Sequence, residues 1–426
     1  MRYQALKKKT FLAAATFTGI AVLFPVLCMA ASENDVQTYT DTDFAMDTVV
    51  SETLYTTGDD INSKLTAVLT DVETNLLSWT NEKSQIYKVN ADSGKDTEIS
   101  DELSGYLKRL LKIAEDSDGA FDPTIGRLTR LWNIEGDNPK VPSKQEVRNT
   151  LKDTGYTKIH LEKVETQNTA TTKKNVDKDI KDNTDKNGDA VKDTDNNTIN
   201  STAQNTADNM VNNEANNTPD NTALNEERLE TTDKKTNTDE SVSSIYIEDQ
   251  CTLDLGAVGK GIACDVAQNY LKQQKEVSGA VIAVGGSILL YGSKADGTNW
   301  NVAVQNPRGK DGEAMGVLSL SGTTNVSTSG DYEKYFVQNG KRYHHILDPS
   351  TGYPAESSLI SVTVVSDNGL LSDGLSTACF VLGKEKGQKL LETYGAEGIF
   401  IDQNKKVTVT KGLKDKFTIL NEEYSE

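Results

Sequence analysis

Two of the chain's three histidines stand side by side in Tyr343-His344-His345-Ile346-Leu347-Asp348-Pro349-Ser350-Thr351-Gly352. An imidazole ionises near neutrality, at about 6.5 when unperturbed, so one that is held still can take or deliver a proton. The apolar run stops at Asp-Pro, and this predicts a strand whose last residues are aimed by a rigid corner. A surface hairpin with solvated imidazoles fits the same letters. A second group is Leu253-Asp254-Leu255-Gly256-Ala257-Val258-Gly259-Lys260-Gly261, ahead of a helical run from Ile262 to Gln274. Three glycines at a strand-to-helix turn let backbone approach a ligand and leave amides free at a helix N-terminus, which suits a phosphate or pyrophosphate. Lys260 adds a point charge. The loop is not a Walker motif, because Gly261 stands where Ser or Thr should follow the lysine, and its spacing misses G-x-G-x-x-G. A tight turn without a ligand is the plain alternative. A third group is Asp373 and Thr377, four apart in Leu371-Ser372-Asp373-Gly374-Leu375-Ser376-Thr377-Ala378-Cys379-Phe380. On a helix their oxygens share one face, and hard oxygens of this kind suit magnesium, with water or phosphate filling its other positions. An aspartate capping a buried helix reads equally well.

The elements that must position these groups mix helices and strands. Ile61 to Leu77 carries Ile61, Leu65, Val68, Leu69, Val72 and Leu76 at helical spacing, and Glu102 to Ser117 repeats the pattern with Leu103, Leu107, Leu110, Leu111 and Ala114. Gly279 to Val284, Trp300 to Val304 and Ile360 to Val365 read as strands. Asp-Pro-x-x-Gly turns occur at Asp122 and Asp348, and Thr328-Ser329-Gly330-Asp331 is a polar turn rich in donors.

At 426 residues the chain has room for one large domain or two ordinary ones. Arg2, Lys7, Lys8 and Lys9 precede an uncharged run from Phe11 to Leu27, the layout of a secretory signal or membrane anchor over residues 1–31. Cys28 stands where a lipoprotein acceptor would, although Pro25-Val26-Leu27 lacks the small residue normally upstream; cleavage near Ala30 is the alternative. Cys251, Cys264 and Cys379 are too few and too scattered for a disulfide framework or a zinc site, and read as small buried residues. A net charge of −19, with no basic face, excludes nucleic acid as a partner. Much of that charge is local. Residues 166–240 carry 16 acidic against 9 basic side chains and no Phe, Tyr or Trp, so they cannot offset their ordering entropy and are expected to be disordered. Alternating runs on either side, Lys158 to Val164 and Ser244 to Glu248, make the tract an enlarged hairpin loop inside one domain over residues 32–426.

In this order and at these separations the motifs resemble the FAD:protein FMN transferases, the ApbE family. The resemblance runs from Phe44-Ala45-Met46-Asp47-Thr48 through Gly119-Ala120-Phe121-Asp122-Pro123, Asp254 to Gly261, Gly285-Gly286, Thr328 to Asp331 and His345 to Gly352, to Asp373 to Ala378. It covers nearly all of the chain except the leader and the 166–240 insertion. It implies an α+β fold, a single large T-fold-like domain of mixed, mainly antiparallel sheets with packed helices. It also implies magnesium-dependent transfer of the FMN half of FAD to a Thr or Ser hydroxyl, releasing AMP. The acceptor would be an exported flavoprotein with a Ser/Thr-Gly-Ala-Thr/Ser type motif. By the same resemblance Met46, Trp79, Ala120, Phe121, Asp122, Asp254, Lys260, His345 and Ile346 contact FAD. Ala257, through its carbonyl oxygen, Asp373 and Thr377 hold the metal, and His345 and Asp373 serve the reaction. Asp47 departs from the family's more frequent Gly, and Ile86-Tyr87-Lys88-Val89-Asn90 lacks the usual Ser-Arg pair. The expected protein is thus an enzyme on the outer face of the cell membrane, held there through its N-terminus. The competing functions are a magnesium-dependent FAD pyrophosphatase giving FMN and AMP, and an exported flavin-binding protein without turnover.

Overall fold

Eight strands follow one another in both sequence and space to make the main sheet of the computed structural model, which describes residues 35–163 and 243–426. They are β1 (Gln37–Ala45), β2 (Thr48–Thr56), β3 (Val277–Val284), β4 (Ser287–Gly292), β5 (Thr324–Gly330), β6 (Leu359–Ser366), β7 (Glu397–Asp402) and β8 (Val407–Val409). Every neighbouring pair is antiparallel. The expected leader and the 166–240 insertion lie outside the described residues.

Period-two burial gives the sheet two apolar faces. One packs against helices α1 (Asn62–Val72), α2 (Asp101–Asp116), α3 (Gly259–Leu271) and α4 (Gly369–Leu382). Val50, Leu54, Ile282 and Val284 meet Leu65, Leu69, Ala263 and Ala267 there, while Val362 and Val364 meet Leu375 and Ala378. The other face packs on a three-stranded sheet of Trp300–Gln305, Ala314–Leu320 and Phe417–Ile419, with Ile288, Leu290, Val326 and Ile360 against Trp300, Val302, Met315 and Leu318. The fold is therefore α+β with mainly antiparallel sheets.

The two periodic helices and the three strands form where the apolar spacing predicts them. The first helix closes with a π-turn over Glu73–Leu77 instead of running on as α-helix. Ile159–Lys163 pairs antiparallel with Ser243–Ile247, as the alternation around the insertion predicts. Cys251, Cys264 and Cys379 are buried and free. Among the described residues no helix is long and apolar enough to cross a membrane.

Two expectations change. The histidine run is not one strand: Lys341–His344 pairs with Tyr335–Gln338, and Leu347–Asp348 then pairs with Tyr353–Pro354. Between them the chain bends at His345, whose N–H donates to Lys334 O at 3.0 Å, while Ala355 N–H donates to Ile346 O at 3.0 Å. Nor does a strand precede the glycine loop. Only Thr252 bridges, in parallel, to Ile125.

Candidate functional site

The glycine loop owes its shape to helix packing. A Cβ on Gly261 would stand 2.2 Å from Gly369 O, and one on Gly369 would stand 2.2 Å from Gly261 O, so the first turns of α3 and α4 touch backbone to backbone. That contact lets Asp373 Oδ2 accept Gly261 N–H at 2.8 Å. Asp265 on α3 answers by taking Gly369 and Leu370 N–H at 2.6 and 3.0 Å, capping α4. Gly256 N–H goes to Asp254 Oδ1 and Gly259 N–H to Leu255 O. All three glycine amides are thus engaged within the protein, so the glycines themselves leave none free for a phosphate. Asn90 clamps the same loop, accepting Leu253 N–H at 2.7 Å and donating to Leu253 O at 2.9 Å.

Charge gathers beside this contact. The Gly285-Gly286 turn between β3 and β4 has Gly285 at φ +54°, and a Cβ there would stand 2.7 Å from Thr48 Oγ1 and 3.4 Å from Lys260 Cδ. A Cβ on Gly286 would stand 3.4 Å from Glu333 Oε1. Lys260 and Glu333 therefore cross adjacent glycines, each keeping some open surface while protein surrounds it on most sides. The Asp373 carboxylate raises the Lys260 pKa against the opposing effect of burial. Burial raises Asp373, while Lys260 and the Gly261 amide pull it back. Burial also pushes Glu333 up to about 7, with Lys260 opposing and Asp373 reinforcing the shift. Glu333 carried no sequence signal, being one more acidic residue in a turn.

The adjacent histidines have different jobs. His344 is buried, with Nε2 against Ala355 O at 3.1 Å and its ring edge-on to Phe380. His345 lines the site. Its Nδ1 lies 3.3 Å from Lys334 O, which can only accept, so Nδ1 carries the proton and Nε2 the lone pair. Burial, then the Lys334 and Lys260 charges, push its pKa down to about 3, so the imidazole is neutral at pH 7. Lys334 is itself tied to Glu135 at 2.5 Å.

The other candidates frame this floor. Met46 and Asp47, at φ +56° and +54°, make the turn between β1 and β2. Met46 N–H donates to Glu73 at 2.7 Å, and its Cε lies 3.6 Å from where a Gly259 Cβ would sit. Phe121 is buried against Gly374 of α4, Ala120 is half-buried beside it, and Ile346 joins the same apolar cluster. Trp79 lies under the Arg130 guanidinium, 4.5 Å from the ring centre, so Arg130 covers one face of the indole. Asp122 spends its carboxylate on the loop itself: Oδ1 takes Thr124 N–H and hydroxyl at 2.8 and 2.6 Å, and Oδ2 takes Tyr156 N–H at 2.9 Å. Its carboxylate therefore shapes the loop, and Pro123 O next to it accepts Asp254 N–H at 2.8 Å.

The oxygens expected to hold a metal fit a hard cation. Gly261 N–H, which a regular helix would give to Ala257 O, goes to Asp373 instead, and no other described donor reaches that carbonyl. Asp373 Oδ2 is the oxygen that takes the Gly261 N–H, and Thr377 Oγ1 lies 3.2 Å from Ser329 Oγ. The buried Ser287 hydroxyl, otherwise without a partner, stands near enough to Asp373 to favour its ionised form. No cluster of three or more His, Cys, Asp or Glu occurs among the described residues, so the set carries one formal charge and leaves room for outside oxygens.

A family model described as the ApbE family matches residues 46–181 and 168–400. The chain belongs to the ApbE family. A Treponema pallidum relative named FAD:protein FMN transferase is 27% identical over 356 residues, which span 81% of this chain and 78% of that protein. A Klebsiella pneumoniae relative of the same name is 37% identical over 188 residues, 44% of this chain and 57% of that one. The ApbE protein of Thermotoga maritima superposes with a TM-score of 0.63 at 28% identity, covering 89% of this chain and 99% of that one. The apo flavinyl transferase ApbE of Pseudomonas stutzeri, at 24% identity and a TM-score of 0.62 over 89% and 97% of the two chains, shares the fold.

Proposed function

We propose that this chain is a flavin transferase that moves the FMN half of FAD onto a Thr or Ser hydroxyl of an exported acceptor protein and releases AMP. The reading rests on the closeness of Lys260, at the Gly285-Gly286 turn, to both Asp373 and His345, drawn from three distant segments. FAD:protein FMN transferase relatives support it. Lys260 stands ready for the leaving AMP phosphate, and Nε2 of the neutral His345 can accept a hydrogen bond from a bound substrate. Ala257 O, Asp373 and Thr377 are the residues that would hold magnesium, which when bound supplies charge neutralisation to the pyrophosphate. Met46 and Trp79, each half-buried, offer apolar and aromatic surface for the flavin and adenine. Work outside the membrane, with the N-terminus as the anchor, completes the proposal.

The test is intact-mass analysis of an acceptor bearing the Ser/Thr-Gly-Ala-Thr type motif after incubation with the chain, FAD and magnesium. An FMN adduct on the acceptor is the expected result. Bound FAD with no adduct counts against transfer, and AMP formed equally well without acceptor identifies water as the attacking group.

A further inference from the structure

The charged groups around α3 and α4 are nearly all committed to internal partners. Asp122, Asp254, Asp265 and Asp373 each accept a backbone N–H, and Asp331 is clamped by Arg308 at 2.7 and 2.8 Å and by Arg342 at 3.2 Å. Glu333 is different. Its carboxylate makes no hydrogen bond or ion pair among the described residues, yet lies over Gly286 and beside Lys260. Nor does Lys260 form an ion pair among those residues. A cation and an unpartnered carboxylate thus stand at adjacent glycines without forming an ion pair among the described residues.

We propose that Glu333 accepts the proton of the attacking hydroxyl in the flavin transfer assigned above; the inference rests on that reading. As the hydroxyl oxygen's lone pair forms the bond to the FMN phosphorus, the O–H proton passes to a Glu333 carboxylate oxygen. The P–O bond to AMP breaks, its electron pair stays on the AMP phosphate, and Glu333 later returns the proton to water. Position supports this role. The next residue fixes the backbone at both ends, since Lys334 O holds the His345 N–H and ring while Lys334 Nζ holds Glu135. Basicity supports it too. The groups facing Glu333 are Lys260 on α3, Asp373 on α4 and Lys334 beside it, and with burial they leave its carboxyl near about 7, whereas His345 has been pushed to about 3. An acceptor matched to working pH takes a proton more effectively than a much weaker base. Glu333 is then the group that relieves the hydroxyl of its proton, while His345 Nε2 stays free to accept from another substrate donor.

The experiment is single-turnover flavin transfer from FAD to the acceptor at saturating magnesium, with FAD affinity followed by flavin fluorescence. Glu333→Gln should slow transfer by roughly a hundredfold or more while FAD affinity stays within about threefold. Glu333→Ala should be slow as well, and added formate should recover its rate by about tenfold as a replacement base. Transfer by Glu333→Gln within about threefold of the unsubstituted chain would overturn the role of Glu333 and leave flavin transfer standing. No adduct from the unsubstituted chain, with FAD bound, overturns transfer and the role together.

Discussion

Replacing Glu52 by Gln tests the electrostatics of one buried carboxyl in isolation from the site. Glu52 lies on β2 between Val50 and Leu54, 2% exposed, beneath α1. The Thr66 hydroxyl donates to Oε1 at 3.1 Å, and Oε2 has no partner among the described residues. Burial raises the pKa from 4.5 to about 7 despite the Thr66 bond, with Asp41, Asp43 and Asp60 adding to the rise. The sign follows from proton counting. Below about 4.5 both folded and unfolded chains hold the proton; between there and about 7 the unfolded chain has lost it and the folded chain has not, so stability falls as pH rises. The gap of about 2.5 pKa units sets a ceiling of about 3 kcal/mol, reached above pH 7. Glutamine keeps the shape and an acceptor for Thr66 but cannot ionise. Urea unfolding of both proteins from about pH 4 to about pH 8.5 should show equal stability at the acid end and a lead of about 2 to 3 kcal/mol for Glu52→Gln at the alkaline end. A stability difference that stays flat across that range refutes the reasoning.

Gly261→Ala sets a methyl 2.2 Å from the Gly369 carbonyl, where only backbone could yield, so it should cost about 3 kcal/mol or more and lower the thermal midpoint measured by circular dichroism. The His345 ring signals in proton NMR should hold constant from about pH 5 to about pH 8, since burial and two lysines keep the imidazole neutral; a titration step near about 6.5 would contradict that. Magnesium and FAD should bind cooperatively, so that chelation weakens FAD binding by about tenfold or more in fluorescence titrations, and Asp373→Asn should abolish most of that coupling.

The sequence carried the periodic parts well. Leu103, Leu107 and Leu110 repeat at helical spacing and form α2, and the alternation around the 166–240 insertion gave the pairing of Ile159–Lys163 with Ser243–Ile247. Those patterns are local, so a local reading finds them. The glycine loop was misread in part because the Gly261 amide is engaged by a tertiary partner. Gly261 is needed for Gly369, more than a hundred residues on, and Asp373 takes its N–H. Glycine signals close approach, and the sequence alone does not say whether a ligand or another helix approaches. The histidine pair failed as a strand for a similar reason: Phe380 and Ala355 draw His344 inward, and Lys334 O turns His345 the other way. Glu333 and Asn90 gave no signal, since each acts through residues distant in the chain.

Charge balance supports the metal ion of the proposed reaction. The single positive charge of Lys260 faces two acidic side chains, Asp373 and Glu333, so the floor holds no surplus of cationic groups before any ligand arrives. A diphosphate brings further negative charge, and the three glycine amides of the loop are already spent on Asp254, Leu255 and Asp373. Ala257 O and the carboxylate of Asp373 would repel a phosphate, yet a hard divalent cation needs such oxygens. The helix contact at Gly261 and Gly369 produces both effects at once: it takes the amide that would have satisfied Ala257 and gives it to Asp373. In the proposed reaction, one backbone-to-backbone approach would thus make what reads in the sequence as an anion cradle a place for a cation, with the phosphate arriving as that cation's partner.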